Sequence, residues 1–378
     1  MVIWVIGRNY PLPDNDMQGS FELEQAKMLA RYGNEVHYLA CSLHPIKKIK
    51  GSGLRSWDDE GVKVTVLSAF FAPRVYPIYF VKGRNKHWER LFSEVERQSV
   101  TPDVIHVHYP AMLMIADTLK KYHDKGVRVV ATEHWTKVLA KKLDAIELKE
   151  FKKYSTVLDK IICVGSPLRY SVHDLIGMDG VVVPNIVNEL FKPSKDTHNG
   201  FRFVAVGRLV KIKQFDKIIE AFCECFLGQK DITLTIIGGG EEKEALEKIV
   251  SERKAGDQVK LVGSQTREKT AEIVSNCDNL ICYSRFETFG VPIIEAWACG
   301  LTTTTTTTAA AVIDNFDERL GVEVSFDDYE GLKRALKHVY EHRAEYDKEF
   351  ISEYAINHFS EPIIANKLCN LYTEKFLC

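Results

Sequence analysis

The chain has 378 residues, 45% hydrophobic and 27% charged, with a formal net charge of −2. That length suits two domains with a core each, and the composition is that of a globular protein. So small a charge argues against bulk electrostatic binding to nucleic acid, no stretch approaches the roughly 20 apolar residues of a membrane-spanning helix, and nine cysteines without a C-x-x-C pair read as free thiols of a reducing compartment.

From the start, short apolar runs alternate with amphipathic helical stretches, the signature of parallel-sheet α/β architecture. "MVIWVIGRNYPLPD" has no basic leader and goes directly into a strand, so a cytoplasmic location is expected. Strands are predicted at 2–6, 35–40, 62–68, 103–108, 127–133, 160–165 and 180–185. They are Val- and Ile-rich on consecutive positions, as strands covered on both faces must be. Between the first two, Leu23, Ala26, Leu29 and Ala30 form a helical stripe, closed by Gly33 where a left-handed C-cap is wanted. A polar Pro- and Gly-containing stretch, 188–200, reads as a linker. The pattern then restarts at 201–207, 232–238, 258–263, 279–284, a threonine run at 302–308, and 321–326. The expected division is an N-terminal domain 1–187, a second doubly wound domain 201–356, and a helical segment 357–378 with no strand of its own to cover.

The most informative segment is "SRFETFGVPIIEAWACG" (284–300), a strand end running into a helix. Pro292 suits a first helical turn, and Gly290 permits a close-approach backbone ahead of it. The N–H groups near Phe289, Gly290 and Val291, with the helix dipole behind them, make an anion site. Glu287 and Glu295 flank that turn and can accept hydrogen bonds from sugar and ribose hydroxyls. "VGRLVKIKQFDKIIEAF" (206–222) places Arg208 and Lys213 after a strand, where a guanidinium fork and a compact ammonium can neutralise a diphosphate. "LTIIGGGEEKEALE" (234–247) is a glycine turn able to line a nucleotide cleft, Gly239 at its centre. It is not G-x-G-x-x-G, so a dinucleotide cofactor is disfavoured.

Together these segments resemble the retaining glycosyltransferases of the GT-B fold, glycosyltransferase family 4, most densely over 184–300. Glu287 and Glu295 match that family's E-x7-E motif, Arg208 and Lys213 its Arg–Lys pair, and "VPNIVNELF" its stretch after the last strand of the first domain. The resemblance implies two Rossmann-like domains facing a central cleft, and a nucleoside diphosphate sugar (UDP- or GDP-linked) as donor. It places Glu287 on donor-sugar hydroxyls, the backbone of Phe289, Gly290 and Val291 on sugar and phosphates, Glu295 on the ribose, and the base near Val262 and Ser264. In the first half it points to Gly19 at a loop-to-helix junction, where the family often has two glycines and this chain has Gln18 and Gly19. It also points to His134, past a strand end, as a donor contact; His108 occupies a comparable strand end. Reaction with retention of configuration and no metal is implied, and no D-x-D stands at a strand end; "DND" (14–16) lies in a turn-rich loop.

One departure is the run "GLTTTTTTTAAAVIDNF", where the family has apolar residues and a Gly-Gly that Ala309 and Ala310 replace here. Threonine is β-branched and can form the strand, but its inward hydroxyls then need partners. On the acceptor side, residues 44–90 hold ten Lys or Arg against four Asp or Glu. The interleaved aromatics, Phe70, Phe71, Tyr76, Tyr79, Phe80 and Trp88, are either core or a basic surface for anionic lipid or a lipid-linked acceptor at the inner membrane face. Two other activities fit the same motifs: a sugar-nucleotide epimerase, and a catalytically silent donor-binding partner in polysaccharide assembly.

Overall fold

The computed structural model describes residues 1–12, 18–44, 53–70, 77–98 and 101–374, without the side chains of 44, 70, 77–79 and 98. The chain forms two compact units, Met1–Val183 with Ala365–Cys378, and Pro184–Ile364.

The first unit carries β1 (Val2–Gly7), β2 (Glu35–His44), β3 (Gly53–Asp59), β4 (Val62–Phe70), β5 (Val104–His108), β6 (Arg128–Glu133), β7 (Lys160–Cys163) and β8 (Val181–Val182). They form one sheet in the order β3-β4-β2-β1-β5-β6-β7-β8. Seven of these strands were expected and run parallel; β3 was not, and it pairs antiparallel with β4 at the sheet edge. Its sequence, GLRSWDD, is mostly exposed and lacks the apolar run that marks a central strand. The turn to β4 gives it away instead: Glu60 and Gly61 have φ of 52° and 81°, the left-handed pair of a two-residue hairpin. Behind the sheet Trp4, Phe92 and Tyr122 meet edge-on or tilted, with ring centroids 5.2–5.7 Å apart.

The second unit carries β9 (Phe201–Val206), β10 (Ile232–Ile237), β11 (Val259–Gly263), β12 (Asn279–Cys282), β13 (Thr302–Thr306) and β14 (Gly321–Val324). All are parallel, in the order β11-β10-β9-β12-β13-β14. Phe203, Phe222, Phe226 and Leu336 pack the core on one face.

Residues 188–200, expected as a linker, lie inside the second unit. Phe191 is buried, Ser194 Oγ donates to Asn276 at 3.1 Å, and His198 lies 2.8 Å from Asp278. Polar composition suggested a tether, but one aromatic and two polar contacts are enough to dock it.

The threonine strand finds its partners. All five residues of β13 are buried. Thr302 donates to Asp278 O (3.1 Å), Thr303 accepts from Trp297 Nε1 (3.1 Å), and Thr306 and Thr308 donate to Ser284 O (2.8 and 2.9 Å). Thr304 Oγ1 is buried without a partner.

In the basic segment 44–90, Phe80 and Trp88 are buried in the helix Pro77–Gln98 rather than displayed. Phe71 and Tyr76 lie outside the described residues, as do 14–16, and the side chains of Phe70 and Tyr79 are likewise not described.

Candidate functional site

In the second sheet the chain order reverses at β9, which lies between β10 and β12. Loops leaving the carboxyl ends of β9 and β12 therefore diverge, and open α/β sheets bind ligands at such a point. The loop after β9 carries Arg208 and a short turn, Lys211–Lys213, and enters the helix Phe215–Phe226. The loop after β12 carries Glu287 and enters the helix Val291–Ala298. A backbone bond from Arg285 N to Ile212 O (2.9 Å) ties the two loops. Lys213 Nζ is ion-paired with the Glu287 carboxylate, both side chains being mostly buried. Burial pulls the Lys213 ammonium down, but the charge of Glu287, its hydrogen bond and the nearby Cys282 together outweigh it, and the net shift is upward. Arg208 is exposed.

Gly290 caps the helix Val291–Ala298 at φ 97°, and a Cβ there would lie 2.8 Å from Ile293 Cδ1 and 3.2 Å from the Ala309 methyl. Only glycine fits both the conformation and the space. Pro292 occupies the first turn, and the helix geometry leaves the Gly290 and Val291 N–H groups without intrahelical acceptors. Phe289 is buried, and its carbonyl accepts from Ala311 N at 2.9 Å, so the alanines after β13 still brace this turn. Glu295 is buried one turn further on and accepts from Arg267 Nη2 at 3.0 Å. Arg267 escaped the sequence reading, because a pair 28 residues apart has no periodic signature.

The glycine turn lies against the Arg208 loop. A Cβ on Gly238 would be 1.8 Å from Gly207 O, and Leu209 N donates to Gly239 O at 2.9 Å. Ser264 Oγ would be 2.6 Å from a Cβ on Gly239, so Gly239 and Ser264 are neighbours. Val262 is half-buried and Ser264 exposed at the end of β11. The structure thus joins Lys213 with Glu287 and Gly239 with Ser264, while Glu295 has a different cation from Glu287.

The first sheet reverses at β1, between β2 and β5. Just past β1, Arg8 Nε donates to the fully buried Glu22 at 2.7 Å, and the guanidinium lies 3.7 Å from the Tyr109 ring centroid. Gly19 caps the helix Ser20–Arg31 at φ 97°, and a Cβ there would be 2.0 Å from Asn9 O and 2.8 Å from Tyr38 Oη. Tyr109 stacks on His134 at 4.8 Å, and His134 Nε2 lies 3.0 Å from His108 Nδ1. Burial, with Arg8 adding repulsion, lowers His134 to about 3. Glu133 accepts backbone N–H bonds from His134 and Trp135 (2.8 Å each) and Ala111 (3.3 Å); burial outweighs them and pushes its carboxyl up to about 7. His108, at the comparable strand end, is its direct neighbour.

Elsewhere in this unit Asn9, Tyr10, Ser42, Arg55 and Trp57 line a cavity of about 300 Å³, with Tyr10 edge-on to Trp57 at 4.8 Å. In the second unit a cavity of about 530 Å³ opens at the amino ends of β9–β11, away from the Lys213–Glu287 pair. The eight described cysteines are free thiols, and no described helix is long and apolar enough to cross a membrane.

Two sheets, each with its chain reversal flanked by charged strand-end loops, define a GT-B type of architecture, and comparison with known proteins agrees. The family model Glycosyltransferase Family 4 matches residues 20–189, and Glycosyl transferases group 1 matches 187–357. The chain is 23% identical over 308 residues to N-acetyl-alpha-D-glucosaminyl L-malate synthase of Bacillus anthracis, covering 74% of this chain and 72% of that protein. It is 25% identical over 217 residues to the phosphatidylinositol N-acetylglucosaminyltransferase GPI3 subunit of Saccharomyces cerevisiae, covering 52% of this chain and 46% of that one, so it spans about half of that relative. The structure of HepE from Anabaena in complex with UDP and glucose superposes with a TM-score of 0.74 at 14% identity over 99% of both chains. The chain belongs to the GT-B glycosyltransferases of family 4 type.

Proposed function

We propose that the chain transfers an N-acetylhexosamine or related hexose from a UDP-sugar to an acceptor hydroxyl, with retention of anomeric configuration and without a metal ion. The observation that carries this reading is the Lys213–Glu287 pair at the reversal of the second sheet, beside the Gly290 helix start. The nucleotide is chosen because HepE binds UDP, and the sugar because both relatives are named for N-acetylglucosaminyl chemistry.

Donor entry exchanges partners. The diphosphate takes Lys213, Arg208 and the N–H groups of Gly290 and Val291; sugar hydroxyls donate to the Glu287 carboxylate that Lys213 releases; and Glu295 receives the ribose. The bond from the anomeric carbon to the diphosphate oxygen breaks, and its electron pair leaves with the phosphate. The acceptor oxygen bonds to the anomeric carbon from the same face and gives its proton to the departing phosphate. Charges fixed before the reaction stabilise the charge that develops on the leaving group. For the acceptor we propose a carbohydrate or lipid-linked hydroxyl seated by the cavity of Arg55 and Trp57, where an aromatic ring and a guanidinium suit a sugar ring carrying an acidic group.

A thermal-shift screen against UDP-, GDP- and ADP-sugars tests the donor, since a ligand of the folded state raises the midpoint. UDP-N-acetylglucosamine is expected to give the largest rise; a rise with GDP- or ADP-sugars alone overturns the choice. Incubation with donor alone then separates the alternatives, because an epimerase alters the donor without acceptor and a transferase needs one.

A further inference from the structure

Three imidazoles stack at the carboxyl end of β5 and β6. His106 and His108 are 4.6 Å apart at 18°, and His108 and His134 5.3 Å apart at 17°. His106 is satisfied by hydroxyls on both sides, with Tyr372 Oη 2.5 Å from Nδ1 and Thr132 Oγ1 2.6 Å from Nε2. His108 differs. Its Nδ1 lies 3.0 Å from His134 Nε2, while its Nε2 is buried and has no hydrogen-bond partner among the described residues.

Burial holds all three rings below their ordinary range, and Arg8 adds repulsion at His108 and His134, so at neutral pH each ring is neutral with one proton. Two arrangements satisfy the His108–His134 bond. If His134 donated from Nε2, the His108 proton would sit on Nε2 as a buried N–H without an acceptor. If His108 donates from Nδ1, its Nε2 is a bare lone pair. Orphaned buried N–H groups are the rarer of the two, and leaving a donor unmade costs its full desolvation. The second arrangement therefore prevails.

We infer that His108 is a positioning residue which fixes His134 in the Nδ1–H form, so that His134 presents a hydrogen-bond donor to a hydroxyl or phosphoryl oxygen of the transfer substrate. His134 is half-buried, and its Nδ1 has no partner among the described residues. The Glu133 carboxylate, holding the backbone N–H groups of His134 and Trp135, keeps the ring in place. The tautomer half of this inference stands on the hydrogen-bond geometry and burial of the rings; the substrate half rests on the transferase reading.

Imidazole ¹⁵N spectra of the full chain labelled at histidine test the first half directly. His134 is expected with a protonated Nδ1 and a bare Nε2; the reverse pattern overturns the inference. Substitution tests the second half. In His108→Asn the amide nitrogen replaces Nδ1, so the His134 tautomer and turnover are expected to survive. In His108→Gln the amide falls nearer the Nε2 position, His134 is expected to populate both tautomers, and turnover falls about tenfold, the worth of one hydrogen bond, with UDP binding unchanged. Equal turnover in the two variants overturns the positioning role. If the spectra are as expected and no UDP-sugar is turned over by the unsubstituted chain, the transferase reading fails and the tautomer assignment stands.

Discussion

At Glu133 the desolvation of a buried carboxyl competes with three backbone N–H bonds and wins, pushing it up to about 7 from 4.5. Between those values the native chain holds a proton that the unfolded chain has released. The stabilisation from that proton is complete below about pH 4.5 and is lost as the pH rises through 7. His106, His108 and His134 have the opposite sign, since burial lowers them and their contribution is lost as the pH falls below 6.5. Glu133→Gln removes only the first effect. Urea unfolding at a series of pH values is expected to show the variant gaining on the parent by about 3 kcal/mol between pH 4.5 and 8; a difference independent of pH refutes this. At the second sheet, Lys213→Ala is expected to cut transfer about 100-fold or more, as loss of a pre-placed charge donor does. Lys211→Ala, exposed two residues earlier, is expected to leave transfer within about twofold. The run "KIK" alone could not tell these lysines apart. What distinguishes them is the turn at 211–213, which aims one of them at Glu287.

The elements were legible where the physics is local. Val- and Ile-rich runs covered on both faces announce themselves, and with the threonine run they account for thirteen strands; among the described residues exposed β3 was the one missed. The Gly290–Pro292 helix start was equally plain, because a left-handed cap and a first-turn proline have sequence signatures. Tertiary partners do not, as the threonine strand illustrates. Composition showed that its hydroxyls need partners, but not that the Trp297 indole N–H and the carbonyls of Asp278 and Ser284 supply them. The same strand supplies a paired test. Thr304 Oγ1 is buried and unpartnered, so Thr304→Val is expected to stabilise the fold by about 1 kcal/mol. Thr303→Val leaves the buried Trp297 N–H without its acceptor and is expected to cost about 1–3 kcal/mol. Denaturant midpoints of the two nearly isosteric variants should move in opposite directions; movement in the same direction refutes the assignment.

At the scale of the whole chain, the polar stretch 188–200 is docked on the second unit, because docking needs few apolar residues once one of them is Phe191. The C-terminal segment raises the same issue from the other end. The division between units falls at Ile364 and Ala365, within the helix Glu361–Thr373. From Ala365 onward Leu368, Leu371 and Tyr372 are buried, Arg128 Nη1 donates to Leu371 O at 3.1 Å, and Tyr372 Oη lies against His106. About two and a half turns of helix, Ala365 to Thr373, thus complete a core whose strands β5 and β6 lie more than 200 residues earlier. Its removal exposes apolar surface and strands a buried imidazole nitrogen, two effects that both fall on β5 and β6. A chain ending at Ile364 is therefore expected to exchange amide hydrogens faster in β5, β6 and β7, while β9, β10 and β12 keep the protection they have in the full chain. Tyr372→Phe isolates the polar part, and is expected to raise exchange around His106 and Thr132 less than the truncation does. Faster exchange in β9–β12 on truncation, or none in β5 and β6, would show that the segment does not serve the first unit as its buried contacts imply.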